Sequence, residues 1–161
     1  MLGSDPHDFI ERLVTGTARF IQVELAGERM RLALTLRDPE EEHDCFSDQT
    51  HRSHYYNLEG VQAIFTGDYF PTRGLPEKVV RFHDRSLDGG THILDLYKGS
   101  GEAKKALAAA SASLAAIVAS AERGAPFDTL IAEDNPEGNR LVQTAISQLL
   151  LFSFALQALH S

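Results

Sequence analysis

Proline is absent from a long stretch near the start of the chain, between Pro6 and Pro39. Ser4 or Asp5 can cap a helix that has Pro6 in its first turn, a position that proline favours. We therefore predict one helix from Pro6 through Arg37, about 33 residues or roughly 50 Å long. A helix of this length is typical of a bundle. Its apolar residues recur with helical spacing, at Phe9, Ile10, Leu13, Val14, Phe20 and Ile21.

Three further long helices are predicted from the same kind of periodicity. The second follows Ser47 or Asp48, either of which can act as its cap, and ends near Gly67. The third is the alanine-rich stretch Glu102–Arg123, which has strong helix propensity. The fourth, Asn139–Leu159, is apolar around most of its circumference and is therefore expected to be central.

The segment between the second and third helices is irregular, with glycine and proline breaks and one short helix predicted at 75–82. No stretch alternates between apolar and polar residues as a strand does. The prediction is an all-α, four-helix bundle-like domain that spans residues 1–161.

Composition restricts the partners. The chain has 161 residues, and its 15 Lys and Arg against 23 Asp and Glu give a net charge of −8, which disfavours nucleic acid. The single cysteine, Cys45, excludes an internal disulfide. No apolar run approaches the roughly 20 residues of a membrane span, so we expect no transmembrane segment. The N-terminal residues lack the pattern of a signal peptide.

Two carboxylates of the first helix are unusual. Projection at about 100° per residue places Glu24 and Glu28 on the same face as the apolar stripe. Buried carboxylates need partners, because an unpaired buried charge is costly. The candidates are an arginine such as Arg29, Arg31 or Arg52, or a metal ion. Alternatively, the helix has already emerged into solvent at this end.

A second concentration of polar residues lies between the first two helices, over 42–54. Ser47 with His43 or His51 could form a nucleophile and base, although capping of the second helix explains Ser47 equally well. Glu40 and His43 have the Glu-x-x-His spacing of di-iron bundles. A di-iron site would require a second copy of this spacing, which the sequence lacks.

Two longer segments closely resemble the imelysin family. Residues 24–30 read Glu-Leu-Ala-Gly-Glu-Arg-Met, and residues 38–51 contain His-Asp-Cys-Phe-Ser-Asp-Gln-Thr-His at their end. Residues 57–61, 67–69, 126–128 and 134–135 extend the resemblance over nearly the whole chain. The resemblance implies an all-helical bacterial cell-envelope or periplasmic protein of a peptidase family that is often associated with iron uptake.

The chain resembles the C-terminal half of that two-half fold. The family's Gly-x-His-x-x-Glu signature belongs to the other half and is absent here; the nearest string, at 90–95, has Asp in place of Glu. The resemblance therefore implies a missing partner, either an N-terminal-half-like domain or a second copy of the chain. It implies iron or zinc as the metal, if one binds.

Three functions follow from these patterns. The first is a ligand- or metal-binding domain in an iron-uptake setting, the second a metallopeptidase completed by a partner chain or dimer, and the third a non-catalytic interaction module. The candidate ligand-binding residues, aligned with the shared motifs, are Glu24, Glu28, Arg29, His43, Ser47, Asp48 and His51. The candidate metal ligands are Glu28, His43, His51, His92 and Asp95.

Overall fold

The computed structural model describes residues 5–66 and 93–160, and within these two ranges it contains helices and turns but no strand. The all-α prediction is therefore confirmed. Three short 3₁₀ turns accompany the longer elements, at Pro39–Glu41, Ile93–Leu96 and Ala158–His160. The longer elements are α1 (Pro6–Arg19), a π-helix (Phe20–Arg31), α2 (Leu32–Leu36), α3 (Thr50–Thr66), α4 (Gly101–Glu122), α5 (Phe127–Ile131) and α6 (Pro136–Gln157).

The first three elements form one continuous helix, as the absence of proline predicts. Asp5 caps it by accepting a hydrogen bond from the backbone N–H of His7 at 3.0 Å. It ends where Arg37 adopts a left-handed backbone conformation, with φ 56° and ψ 30°. The predicted length is confirmed, but the middle of the helix is wound differently from its ends.

The π-helix buries Ile21, the adjacent pair Leu25 and Ala26, and Met30, so that buried positions recur at intervals of four or five residues. Ile21, Leu25 and Met30 are fully buried and pack against α6, which matches i→i+5 hydrogen bonding and not the tighter α-helical turn. Where the winding changes, the Ser153 hydroxyl of α6 donates to the Ala18 carbonyl at 2.8 Å. This buried hydrogen bond supports the junction from outside the helix.

The π winding overturns one prediction. Glu24 and Glu28 were predicted on the core-facing stripe from an α-helical projection, and both are exposed. Wider turns advance the chain through a smaller angle per residue, so after Ile21 the buried row moves to Leu25 and Met30. Neither glutamate therefore needs a buried partner.

The third and fourth long helices lie close to their predicted bounds. α4 is displaced by one residue at each end, whereas α6 begins at Pro136, three residues before the predicted start. The earlier start follows from Asn135, which caps α6 by accepting from the Gly138 N–H at 2.8 Å. α6 packs against α4, α1 and the π-helix and is central, as its all-round apolarity predicts.

Helix α4 is long and apolar enough to cross a membrane by length and composition alone, with a mean hydropathy of 1.3 over its best 18 residues. Core helices of water-soluble proteins pass the same test. Its buried row faces α3 and α6 and consists of Ala103, Leu107, Ala110, Leu114 and Ile117. The predicted short helix at 75–82 and the predicted stop at Gly67 lie outside the described residues.

Candidate functional site

The loop between the long first helix and α3 folds back onto the first turns of α3. The backbone N–H of Asp44 donates to Thr50 Oγ1 at 3.0 Å, and the Ser53 hydroxyl donates to the Asp44 carboxylate. The Ser47 hydroxyl donates to the Asp44 carbonyl at 3.2 Å and so does not cap the helix. Asp44 is therefore the residue that fixes the loop against α3.

This loop, the π-helix and α3 border a shallow, open cleft of about 540 Å³, which we call the motif cleft. Arg29 enters it from the π-helix and donates from Nη1 to His43 Nε2 at 3.2 Å. The Arg29 guanidinium also lies over the Phe20 ring, 5.8 Å from its centroid. The lining residues are Arg29, His43, Asp44, Gln49, Arg52, Ser53, Tyr56 and Asn57.

The motif cleft has a cationic bias. Arg29 and Arg52 contribute two permanent positive charges, whereas Asp44 contributes the one carboxylate among the lining residues that the structure describes. That carboxylate accepts the hydrogen bond from Ser53. His43 must present an unprotonated Nε2 to accept from Arg29, since a guanidinium cannot accept. The arrangement is suited to an anionic, oxygen-rich group, which guanidinium groups bind through paired N–H donors.

One face of α3 buries two histidines beneath this region. His54 is completely buried, and neither of its ring nitrogens has a hydrogen-bond partner in the described part of the chain; its ring meets Phe127 edge-on at 5.0 Å. The pKa of His54 is lowered to about 3, mainly by burial and in smaller part by electrostatic interaction with His43 and Arg29. Burial also lowers the pKa of His51.

Glu42 is a buried carboxyl at the start of the loop. Burial raises its pKa, while the hydrogen bond with Thr50 opposes the shift. Its Oε2 atom has no hydrogen-bond partner. The sequence interpretation assigned no role to Glu42, although a glutamate next to His43 and Asp44 in an acidic run could have drawn attention to it.

The structure brings together only part of the predicted ligand set. Arg29 and His43 meet in the motif cleft, as the shared motifs suggest. His51 is buried on α3, and Ser47 and Asp48 are exposed in the loop, where Asp48 adopts a left-handed backbone with φ 51°. None of these three lines the motif cleft.

The predicted metal ligands do not form a cluster within residues 5–66 and 93–160. Asp95 forms a salt bridge with Lys104, and His92 lies outside the described residues. Among the residues that are described, one group of three or more places its ligand atoms within 4.8 Å of one another, and it consists of His7, Asp8 and Glu11. All three are exposed at the start of α1, where acidic side chains interact favourably with the helix dipole.

A comparison with protein families decides the relationship of this chain to known proteins. The Imelysin family model, which describes a peptidase family, matches residues 1–151. The chain belongs to the imelysin family. No curated protein sequence matches it.

Sequence reasoning missed most of the cleft lining of this imelysin chain. Gln49 directly precedes α3, and the adjacent pairs Arg52–Ser53 and Tyr56–Asn57 follow at intervals of three or four residues on one face of that helix. That spacing is visible in the sequence and could have indicated a shared functional face. The position of Arg29 opposite this face depends on the π winding and on the folded loop.

Proposed function

We propose that this imelysin domain binds an anionic, oxygen-rich ligand in the motif cleft, and that the ligand is a carboxylate chelate of iron. The observation that carries the proposal is the convergence of Arg29 and Arg52 on one cleft of a chain with a net charge of −8. The cations favour an anionic chelate over a bare metal ion, which they would repel. The iron-uptake setting comes from the family resemblance.

The proposal places the domain in the bacterial periplasm or cell envelope, together with a second imelysin-like half. Phe46 supports such a partner, because this aromatic side chain of the shared motif is fully exposed on the loop that borders the motif cleft. Exposed aromatic side chains and arginines are enriched in the energetically important centres of protein interfaces. The partner would form the second wall of the cleft.

The Arg52→Ala substitution tests the ligand. We expect it to weaken binding of ferric citrate by about tenfold or more, because a charge-assisted hydrogen bond and a cation are lost. Isothermal titration calorimetry with ferric citrate measures the affinity, and native mass spectrometry gives the stoichiometry. Arg123→Ala is the matched control, since Arg123 is an exposed arginine that does not line the cleft.

The proposal fails if ferric citrate does not bind, or if Arg52→Ala and Arg123→Ala bind it equally well. A stoichiometric adduct with iron or zinc salts alone, unaffected by Arg52→Ala, would also contradict it and would favour a bare metal site. Binding of the chelate and binding of the bare metal ion are distinguished by titrating the chain with ferric citrate and with the metal salt in parallel.

A second substitution, Phe46→Ser, tests the partner. We expect it to leave the melting temperature unchanged, because the side chain is exposed, and to weaken self-association or association with an N-terminal-half-like imelysin domain. Sedimentation velocity measures both assemblies. Phe9→Ser on α1 is the control, because Phe9 is also an exposed phenylalanine. Assembly that Phe46→Ser leaves intact would contradict this part of the proposal.

The metallopeptidase alternative is examined in the same samples. It predicts cleavage of an unstructured protein such as casein that appears only in the assembled form and disappears with a chelator. An assembled form that cleaves nothing would count against it.

A further inference from the structure

A second cleft, of about 330 Å³, lies on the side of the first helix that faces α6. Three arginines line it from three different places. Arg31 ends the π-helix, Arg37 follows the last residue of α2, and Arg140 belongs to the first turns of α6. We call this the triple-arginine cleft. It is separate from the motif cleft, with which it shares no lining residue.

The charges of these arginines are not neutralised by the described part of the protein. Within residues 5–66 and 93–160, none of the three forms an ion pair with a carboxylate inside 4.0 Å. Arg37 Nη1 donates to the Glu133 carbonyl at 3.3 Å, and Arg140 Nε donates to the Pro136 carbonyl at 3.2 Å. These contacts orient the side chains and leave the remaining guanidinium N–H groups available. Three like charges in one cleft repel one another unless an anion joins them.

The backbone of Arg37 is an independent sign of a functional role. Its left-handed conformation follows the end of a helix, a position at which glycine is the usual residue. A side chain in this conformation is strained, because Cβ approaches the backbone. Arginine therefore occupies a site where glycine would be more stable, and its guanidinium reaches the cleft. Strained residues of this kind are concentrated at functional sites.

We propose that the triple-arginine cleft binds a multivalent oxyanion, either a phosphate group or a polycarboxylate. Guanidinium groups match the oxygen pairs of both classes through paired N–H donors. Thr35 and Gln143 line the same cleft and add neutral polar groups around the arginines. The proposal does not depend on the function assigned to the motif cleft.

The test uses two variants that remove different arginines. Arg140→Ala deletes a cation from α6, and Arg37→Gly deletes one from the helix end while also relieving the backbone strain. Isothermal titration calorimetry with inorganic phosphate and with citrate, in a buffer free of other oxyanions, measures the affinity. We expect each variant to bind at least one of these anions about tenfold more weakly than the unmodified chain. Arg123→Ala is the matched control and retains the affinity.

The stability of Arg37→Gly separates a binding role from a structural one. We expect its melting temperature without anion to equal or exceed that of the unmodified chain, because glycine adopts the left-handed conformation without strain. Added anion should raise the melting temperature of the unmodified chain more than that of the variant. Loss of binding with no loss of stability is the result that a merely structural arginine would not produce.

The proposal is overturned if neither phosphate nor citrate binds at millimolar concentration, or if Arg140→Ala and Arg37→Gly bind as the unmodified chain does. The citrate titration is repeated with Arg52→Ala, so that a contribution of the motif cleft is removed. Citrate binding that Arg52→Ala abolishes and Arg140→Ala leaves intact belongs to the motif cleft. In that case the proposal rests on phosphate binding alone, and a chain that does not bind phosphate overturns the proposal.

Discussion

Acidification from pH 7 to pH 4 is expected to lower the free energy of unfolding by about 3 kcal/mol through one side chain, His54. Its pKa is about 3 in the folded protein, because of burial and the nearby His43 and Arg29, against an ordinary value of 6.5. The nearby His51 also lowers the pKa of His54, whereas the nearby Asp44 raises it. In acid, the unfolded chain therefore binds a proton at His54 that the folded chain does not bind. The stability is fully present above pH 6.5 and is lost as the pH falls towards 3.

The variant His54→Leu isolates this contribution. Leucine is expected to fill the buried site and keep the contact with Phe127, and it removes two ring nitrogens that have no partner among the described residues. Urea unfolding at pH 7, 6, 5 and 4 should give a flatter profile for His54→Leu than for the unmodified chain. The substitution of exposed His7 by Gln should leave the profile unchanged. Parallel profiles for His54→Leu and the unmodified chain would show that His54 is not the group responsible.

Glu42 changes stability in the opposite direction over part of this range. Its raised pKa means that the folded protein binds a proton more readily than the unfolded chain, so acidification stabilises through Glu42. The comparison of variants at each pH is therefore more informative than the profile of the unmodified chain alone.

The Gly138→Ala substitution should lower the free energy of unfolding by about 2–4 kcal/mol, from overpacking and a disturbed helix cap. A Cβ atom at this position would lie 2.7 Å from the Leu130 carbonyl oxygen and 2.6 Å from Asn135 Nδ2. The carbonyl cannot move freely, because Asn139 Nδ2 donates to it at 2.9 Å and to the carbonyls of Ala132 and Asn135 at 2.8 Å each. The clash therefore falls on a rigid junction between α5 and α6.

Thermal unfolding checks this expectation, with a decrease in melting temperature of about 5–15 °C. Gly60→Ala is the control. A Cβ atom at Gly60 meets nothing within 4 Å, and alanine in the interior of α3 should stabilise by about 0.5–1 kcal/mol. If both glycines behave alike, the close contacts at Gly138 are relieved by a shift that the structure does not indicate.

The sequence predicted the helices well, since their limits depend on local features. The absence of proline between Pro6 and Pro39, and the alanine-rich composition of α4, are properties of the chain itself. The winding of the first helix is different, because the choice between i→i+4 and i→i+5 hydrogen bonding depends on packing against α6 and on the Ser153 contact with Ala18. No property of residues 20–31 alone indicates which hydrogen-bonding pattern this segment adopts.

The candidate site, too, could be predicted only in part. The shared motifs indicated Arg29 and His43, which do meet. Arg52 was considered only as an ion-pair partner, since its place in the cleft depends on how Asp44 ties the loop to Thr50 and Ser53. The triple-arginine cleft joins residues more than 100 positions apart, and such a meeting requires the tertiary fold.

The π-helix also determines how the two clefts relate to each other. Arg29 and Arg31 are separated by one residue, yet the first faces the α3 side and the second faces the α6 side. The angle between these two side chains around the helix axis depends on the number of residues per turn. An insertion or deletion of one residue before Arg29 would therefore rotate both arginines away from their clefts, and one between Arg29 and Arg31 would change the angle between them. In this segment, residue count is as strongly constrained as residue identity, whereas in a surface loop it would be free to vary.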